Sequence, residues 1–138
     1  MKKICIVASK YYEDIINMLV SGVNDVLNNH KKKIKTKIIY VPGVFEIPYT
    51  ISKNLKKYDA FIALGCVIKG ETPHFEFISQ AIANGVKDLN ILFDIPFIFC
   101  VSTDLNLNQA KARSGGKLGN KGADSAEAAL KMIMINSK

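Results

Sequence analysis

Residues 60–68, Ala-Phe-Ile-Ala-Leu-Gly-Cys-Val-Ile, run without a polar side chain. That is the pattern of a central parallel strand covered on both faces. A parallel strand needs crossover connections, and the flanking sequence supplies them. Ile4 to Ala8 reads as a second buried strand. It is followed by Ile15, Ile16, Leu19, Val20, Val23, Val26 and Leu27, whose spacing of three and four marks one apolar helix face. Ile34 to Val41 is a strand stopped by Pro42-Gly43. Phe45 to Tyr58 follows as a helix, with Pro48 tolerable only in its first turn. Thr72 and Pro73 supply an N-cap and a first residue for a helix over about Pro73 to Leu89. A fourth strand fits Ile95 to Thr103. Then come a short helix from Leu107 to Arg113, a glycine-rich link from Gly115 to Gly119, and a last helix over about Ala123 to Asn136. Strands alternating with helices imply right-handed crossovers. The expected fold is a three-layer αβα sandwich of flavodoxin-like type, with a parallel sheet of four strands and helices on both faces.

With 138 residues, 49% apolar and 22% charged, usage is that of one globular domain, expected to span 1–138. The apolar stretch from Ile91 to Val101 is broken by Asp94 and Pro96 and falls short of the roughly 20 residues that span a bilayer. The basic start, Met1-Lys2-Lys3, leads directly into a strand pattern and not into a signal-peptide core. A cytoplasmic protein without a membrane partner is expected. Cys5, Cys66 and Cys100 lie in strand-like runs without zinc-ligand spacing and read as buried, reduced thiols. The net charge of +7 suits acidic small molecules as well as nucleic acid. The densest cluster, Lys31, Lys32, Lys33, Lys35 and Lys37, reads as a solvated helix end. No aromatics interleave with it as a nucleic-acid groove would require.

In parallel α/β sheets, ligands bind outside the carboxyl ends of the strands. That directs attention to Ser9–Tyr12, Pro42–Glu46, Cys66–His74 and the chain from Thr103 onward. The glycines match neither the dinucleotide fingerprint nor the phosphate-loop spacing. Acids are missing where a phosphoacceptor receiver would need them, at Ala8-Ser9-Lys10 and Gly65-Cys66. The stretch from Gly65 to Phe77 is a loop feeding a helix N-terminus, and free backbone donors from Gly70 to Thr72 form a natural anion site. His74 lies beside it, where a neutral imidazole can accept a proton; a surface histidine near a helix cap is the plain alternative. Glu46 is either a dipole-favoured acid in a first turn or an acceptor for a polyol or amine. Tyr11 and Tyr12 could wall a flat heterocycle or pack inside. Arg113 is the only arginine, and its planar fork suits phosphate, although a surface loop would look the same.

Three segments, GVFEIP at 43–48, ALGCVIKGETPHFEF at 63–77 and GNKGADSAEAAL at 119–130, stand in this order with compatible spacing. Together they closely resemble the 6,7-dimethyl-8-ribityllumazine synthase family of riboflavin biosynthesis, from about Ile4 to the C-terminus. The resemblance implies a transferase that condenses 5-amino-6-ribitylamino-2,4-pyrimidinedione with 3,4-dihydroxy-2-butanone 4-phosphate. It would release phosphate and water, with no metal or organic cofactor. By motif position, His74 is the general base or proton shuttle, and Arg113 with the backbone of Glu71 and Thr72 binds phosphate. Tyr11 takes the ring-stacking position. Val44, Phe45 and Glu46 contact the ribityl-bearing substrate, while Cys66, Val67 and Ile68 line the pyrimidine end. The resemblance also implies that Phe99, Arg113 and Lys121 reach the site from a neighbouring subunit of a homo-oligomer. A pentamer is the expected assembly, and a capsid of sixty subunits stays open. Tyr12 stands where the family often has asparagine, Cys66 where threonine is common, and Lys10 where arginine is frequent. Glu71 places an acid beside the phosphate position. An archaeal-type riboflavin synthase and a non-catalytic flavin or lumazine carrier are the competing readings.

Overall fold

The computed structural model describes residues 1–136. Its elements are β1 (Lys2–Ser9), α1 (Glu13–Asn28), β2 (Ile34–Val41), α2 (Ile47–Ser52), β3 (Ala60–Ile68), α3 (His74–Leu92), β4 (Phe97–Asp104) and α4 (Leu107–Arg113). A small hairpin, β5 (Ser114–Gly116) and β6 (Gly119–Asn120), leads into α5 (Lys121–Asn136). The main sheet has four parallel strands in the order β2-β1-β3-β4, the expected flavodoxin-like sandwich. Successive strand side chains point to opposite faces, so β1 and β3 feed two separate cores. Ile4, Ile6, Ala8, Ile62 and Leu64 meet α1 and α5 on one side. Cys5, Val7, Phe61 and Ala63 meet α2 and α3 on the other. β1 and β3 pair from Ile4↔Ala60 to Ala8↔Leu64, which seats the longest apolar run in the sheet's middle.

Five elements depart from the sequence reading; β1 extends beyond Ile4–Ala8 at both ends, and α5 begins at Lys121, two residues before the expected Ala123. The single helix expected over Phe45–Tyr58 is a 3-10 turn (Val44–Glu46), α2 and a second 3-10 turn (Leu55–Lys57). Within it, the Thr50 hydroxyl donates to the Glu46 carbonyl, Ser52 to that of Tyr49, and the Asn54 amide to that of Thr50. Such local side-chain bonds compete with a continuous helix. β4 starts at Phe97 because Pro96 has no N–H to give the ladder, and the Asn90 side chain brackets the Phe97 N–H and C=O, both at 3.1 Å. In α3, Pro73 is the cap residue and His74 the first helical one, one position later than expected. Thr72 still contributes, its hydroxyl accepting a long 3.4 Å bond from the His74 N–H. The glycine-rich link is the hairpin, turned by Gly115 and Gly119 at positive φ.

The segment GNKG does packing work. Asn120 Oδ1 accepts from the N–H groups of Gly122 and Ala123 and so caps α5, while its amide donates to the Met18 carbonyl on α1. α1 and α5 approach so closely that a Cβ on Gly122 would collide with the Leu19 carbonyl oxygen. Gly122→Ala should therefore lower the unfolding free energy by about 1–3 kcal/mol in chemical denaturation. Gly70→Ala, where a Cβ meets nothing within 4 Å, is the control and should shift it by no more than about 0.5 kcal/mol. Equal midpoints for the two variants would reject this account of the helix contact.

Candidate active site

Because every strand of the main sheet is parallel, their carboxyl ends form one rim, and the chain leaves that rim four times. The turn after β1 carries Tyr11 and Tyr12, both exposed. Tyr12 has φ 58° and ψ 59°, the only non-glycine residue at positive φ among the described residues. This left-handed turn carries a steric cost for a side-chain-bearing residue. It is held by the Tyr12 carbonyl accepting from Ile16 N–H at 3.0 Å. After β2, Gly43 leaves bare backbone: a Cβ there would lie 3.7 Å from the Tyr11 ring and 3.6 Å from Glu46 Oε1. The aromatic face and the carboxylate thus flank the same spot. Gly65 in β3 is confined more closely, since a Cβ would collide with Val44 Cγ1 and lie 3.0 Å from Ser9 Oγ. Ser9 Oγ is fully buried and has no hydrogen-bond partner among the described residues.

These approaches enclose a cavity of about 420 Å³. The turn after β1 gives it Tyr11 and Tyr12; the 43–46 segment gives Gly43, Val44, Phe45 and Glu46; the end of β3 gives Cys66, Val67 and Ile68; and α3 gives His74 and Ile78. An imidazole, a carboxylate, two phenol rings and an apolar floor therefore converge. That set can stack a flat ring, accept hydrogen bonds from hydroxyls and move a proton. Cys66 contributes to the wall as a neutral thiol. Burial first, and then the Asp104 carboxylate, push it up to about 12 from an ordinary 9.0. All three cysteines are free and buried.

Of the residues singled out from sequence, His74, Tyr11, Tyr12, Val44, Phe45, Glu46, Cys66, Val67 and Ile68 line this cavity. Tyr11 and Tyr12 face outward, which excludes interior packing within this chain. Glu71 and Thr72 are exposed in the bend before α3 and are not part of the lining. Nor are Phe99, Arg113 and Lys121. Phe99 is 38% exposed on the edge strand β4. Lys121 opens α5, its carbonyl accepting from the Ser125 hydroxyl at 2.8 Å. Arg113 ends α4, where its Nη1 donates to Asp104 Oδ1 at 2.8 Å. Sequence reasoning passed over Asp104; the available signal was an acid closing a parallel strand on the rim where ligands bind. Gly43 and Ile78 also escaped it.

Residues 1–137 match the family model described as 6,7-dimethyl-8-ribityllumazine synthase. Relatives bearing that name align along nearly the whole chain. The one from Christiangramia forsetii is 45% identical over 134 residues, 94% of this chain and 80% of the relative. That from Leuconostoc mesenteroides is 42% identical over 137 residues, 97% and 88%. That from Clostridium kluyveri is 46% identical over 137 residues, 96% and 88%.

The thiols give the fold an alkaline limit. Burial also pushes Cys5 up to about 12, against the opposing pull of Lys37 and of a bond with Tyr58, and burial raises Cys100. The folded state then holds protons that the unfolded chain releases above pH 9. The thiols' contribution is complete below pH 9 and is lost as pH rises from 9 toward 12. The denaturation midpoint of the parent should fall across that window. In Cys66→Ala it should fall less steeply, and parallel slopes would show that Cys66 ionises normally in the fold.

Proposed function

The chain belongs to the 6,7-dimethyl-8-ribityllumazine synthase family, and we propose that it condenses 5-amino-6-ribitylamino-2,4-pyrimidinedione with 3,4-dihydroxy-2-butanone 4-phosphate. The products are 6,7-dimethyl-8-ribityllumazine, phosphate and water, a transferase step of riboflavin biosynthesis. The observation that carries this reading is His74, the first residue of α3, lining the same cavity as Tyr11, Glu46 and Cys66.

The pyrimidine amine attacks the ketone and loses water to form an imine. A proton then leaves the neighbouring carbon, phosphate is expelled, and the second amine closes the ring as the second water departs. Each step moves protons between heteroatoms and carbon, so it needs a base and no electron acceptor. His74 is that base or shuttle. Tyr11 stacks on the pyrimidine, Glu46 accepts from ribityl hydroxyls beside Val44 and Phe45, and Cys66, Val67 and Ile68 wall the ring. A cavity of about 420 Å³ is in the size range of small-ligand sites. Holding both substrates there replaces a bimolecular encounter by a local one. The chemistry requires neither metal nor organic cofactor.

Phosphate falls to Arg113 with the backbone at Glu71 and Thr72. Arg113, Lys121 and Phe99 stand outside their own chain's cavity, which supports the reading that they complete the cavity of a neighbouring copy. Phe99 on the edge of the sheet and Phe45, 64% exposed, are apolar surface that such a copy would cover. A cytoplasmic homopentamer, each subunit one catalytic domain over 1–138, follows from this reading. No helix among the described residues is long and apolar enough to cross a membrane.

Mixing the protein with both substrates and following lumazine absorbance against an enzyme-free blank should show turnover. His74→Ala should lower it by about 10²–10⁴, and an undiminished rate would remove the base assignment. Arg113→Ala should chiefly raise KM for the phosphorylated substrate, with KM for the pyrimidine little altered. Riboflavin formed from lumazine alone would point to dismutation. No turnover by a folded pentamer would leave a carrier.

A further inference from the structure

Asp104 is fully buried at the last position of β4, yet it carries a carboxylate. Each of its oxygens is occupied. Arg113 Nη1 donates to Oδ1 at 2.8 Å, the Ser102 hydroxyl donates to Oδ2, and the main-chain carbonyl accepts from Lys69 N–H at 2.9 Å. Ser102 is itself buried, so the carboxylate is held from both sides. The arginine differs, its side chain being 39% exposed. Guanidinium has five N–H groups in a rigid fork, and the bond to Asp104 is the one side-chain hydrogen bond and ion pair found for it among the described residues. A fixed carboxylate therefore grips one corner of the fork and leaves the rest for an oxyanion.

We infer that Asp104 is a positioning residue that presents the Arg113 guanidinium to phosphate. A purely stabilising role accounts poorly for this pair, because a desolvated ion pair is a weak source of stability next to apolar side chains of equal volume. Two opposite effects meet at the joint. The carboxylate cancels part of the cation's attraction for phosphate, and it also removes the freedom of a long side chain that would otherwise be ordered on binding. The inference holds that orientation outweighs cancellation, and it rests on the assignment of Arg113 to phosphate made above. The bond from Lys69 gives it a structural basis. The loop leading to Glu71 and Thr72 leaves β3 at Lys69, whose N–H is bonded to the residue that holds Arg113, so the end of β4 fixes both proposed phosphate-binding elements.

The test compares Asp104→Ala, Asp104→Asn, Arg113→Ala and the Asp104→Ala/Arg113→Ala double variant as assembled enzymes. Asn keeps an oxygen for Arg113 and an amide that can donate to Ser102, but it removes the charge. Ala removes both charge and acceptor. Asp104→Ala should raise KM for the phosphorylated substrate about tenfold, with kcat and the pyrimidine KM within about twofold. Asp104→Asn should recover most of that loss. The double variant should match Arg113→Ala alone, since Asp104 acts through the arginine. A lower KM in both Asp104 variants would show that cancellation wins, and equal losses of kcat, KM and melting temperature would show a structural role; either overturns the inference. Should Arg113→Ala leave KM unchanged, the phosphate assignment fails, and positioning is judged from the guanidinium itself. Its Nε–H resonance in the parent should be narrow, with slowed rotation about the terminal C–N bonds. Free rotation in the parent overturns positioning even if Asp104→Ala does not fold.

Discussion

Burial of β1 and β3 on both faces is the constraint on which the rest of this molecule depends. Ile4, Ile6 and Ala8 face α1 and α5, and Cys5 and Val7 face α2 and α3, so neither strand has a side left for water. Only parallel pairing with helical crossovers satisfies that condition without exposing an apolar face. Parallel pairing in turn brings every strand's carboxyl end to the same rim. The cavity is assembled there because the loops after β1, β2 and β3 have nowhere else to emerge. The floor of the cavity is the last part of the buried run, Cys66 to Ile68, which explains why a thiol rather than a charged group stands there. A carboxylate or ammonium at position 66 would be desolvated by the same packing that raises the thiol.

What was legible follows from how much each feature depends on local patterning. β2, β3 and α4 fall on the residues that spacing assigns, because apolar periodicity and flanking proline or glycine are written in a few consecutive positions. The segment after Phe45 was read too simply: its apolar spacing is helical, but Thr50, Ser52 and Asn54 each turn back on the main chain. Bonds of that kind depend on side-chain direction, which spacing does not encode. At the rim, the candidate residues were legible one by one, and nine of them share the cavity. Their convergence depends on Gly65, whose contribution is the absence of a side chain. Asp104 was missed for a related reason. Its partner is nine positions away and its importance lies in burial, a property of the assembled sheet.

Two kinds of glycine coexist in the motif-bearing segments. Gly65 clears room for Val44 beside the cavity, whereas Gly122 clears room for a helix crossing against Leu19. The segment 119–130 is thus as much a packing element as a chemical one, with Asn120 bonding to both α1 and α5. Lys121 sits inside that clamp, its carbonyl engaged by Ser125 and by the Cys100 thiol. Its main chain is therefore anchored to the core face, and no ion pair of its ammonium group is found among the described residues.

The joint at Asp104 also governs how this rim can be recombined. Its carbonyl belongs to the β3–β4 ladder, in which Ile68 pairs with Asp104, and its carboxylate belongs to the contact with α4. A genetic crossover between Ile68 and Phe97 would unite a loop shaped by one parent's ladder with an arginine placed by another's strand end. Residues 60–74 and 97–113 consequently form one inheritable cassette, although more than twenty residues separate them along the chain. The part of α3 beyond Ile78, whose buried residues are Ile82, Val86 and Leu89, lies between them and outside the joint.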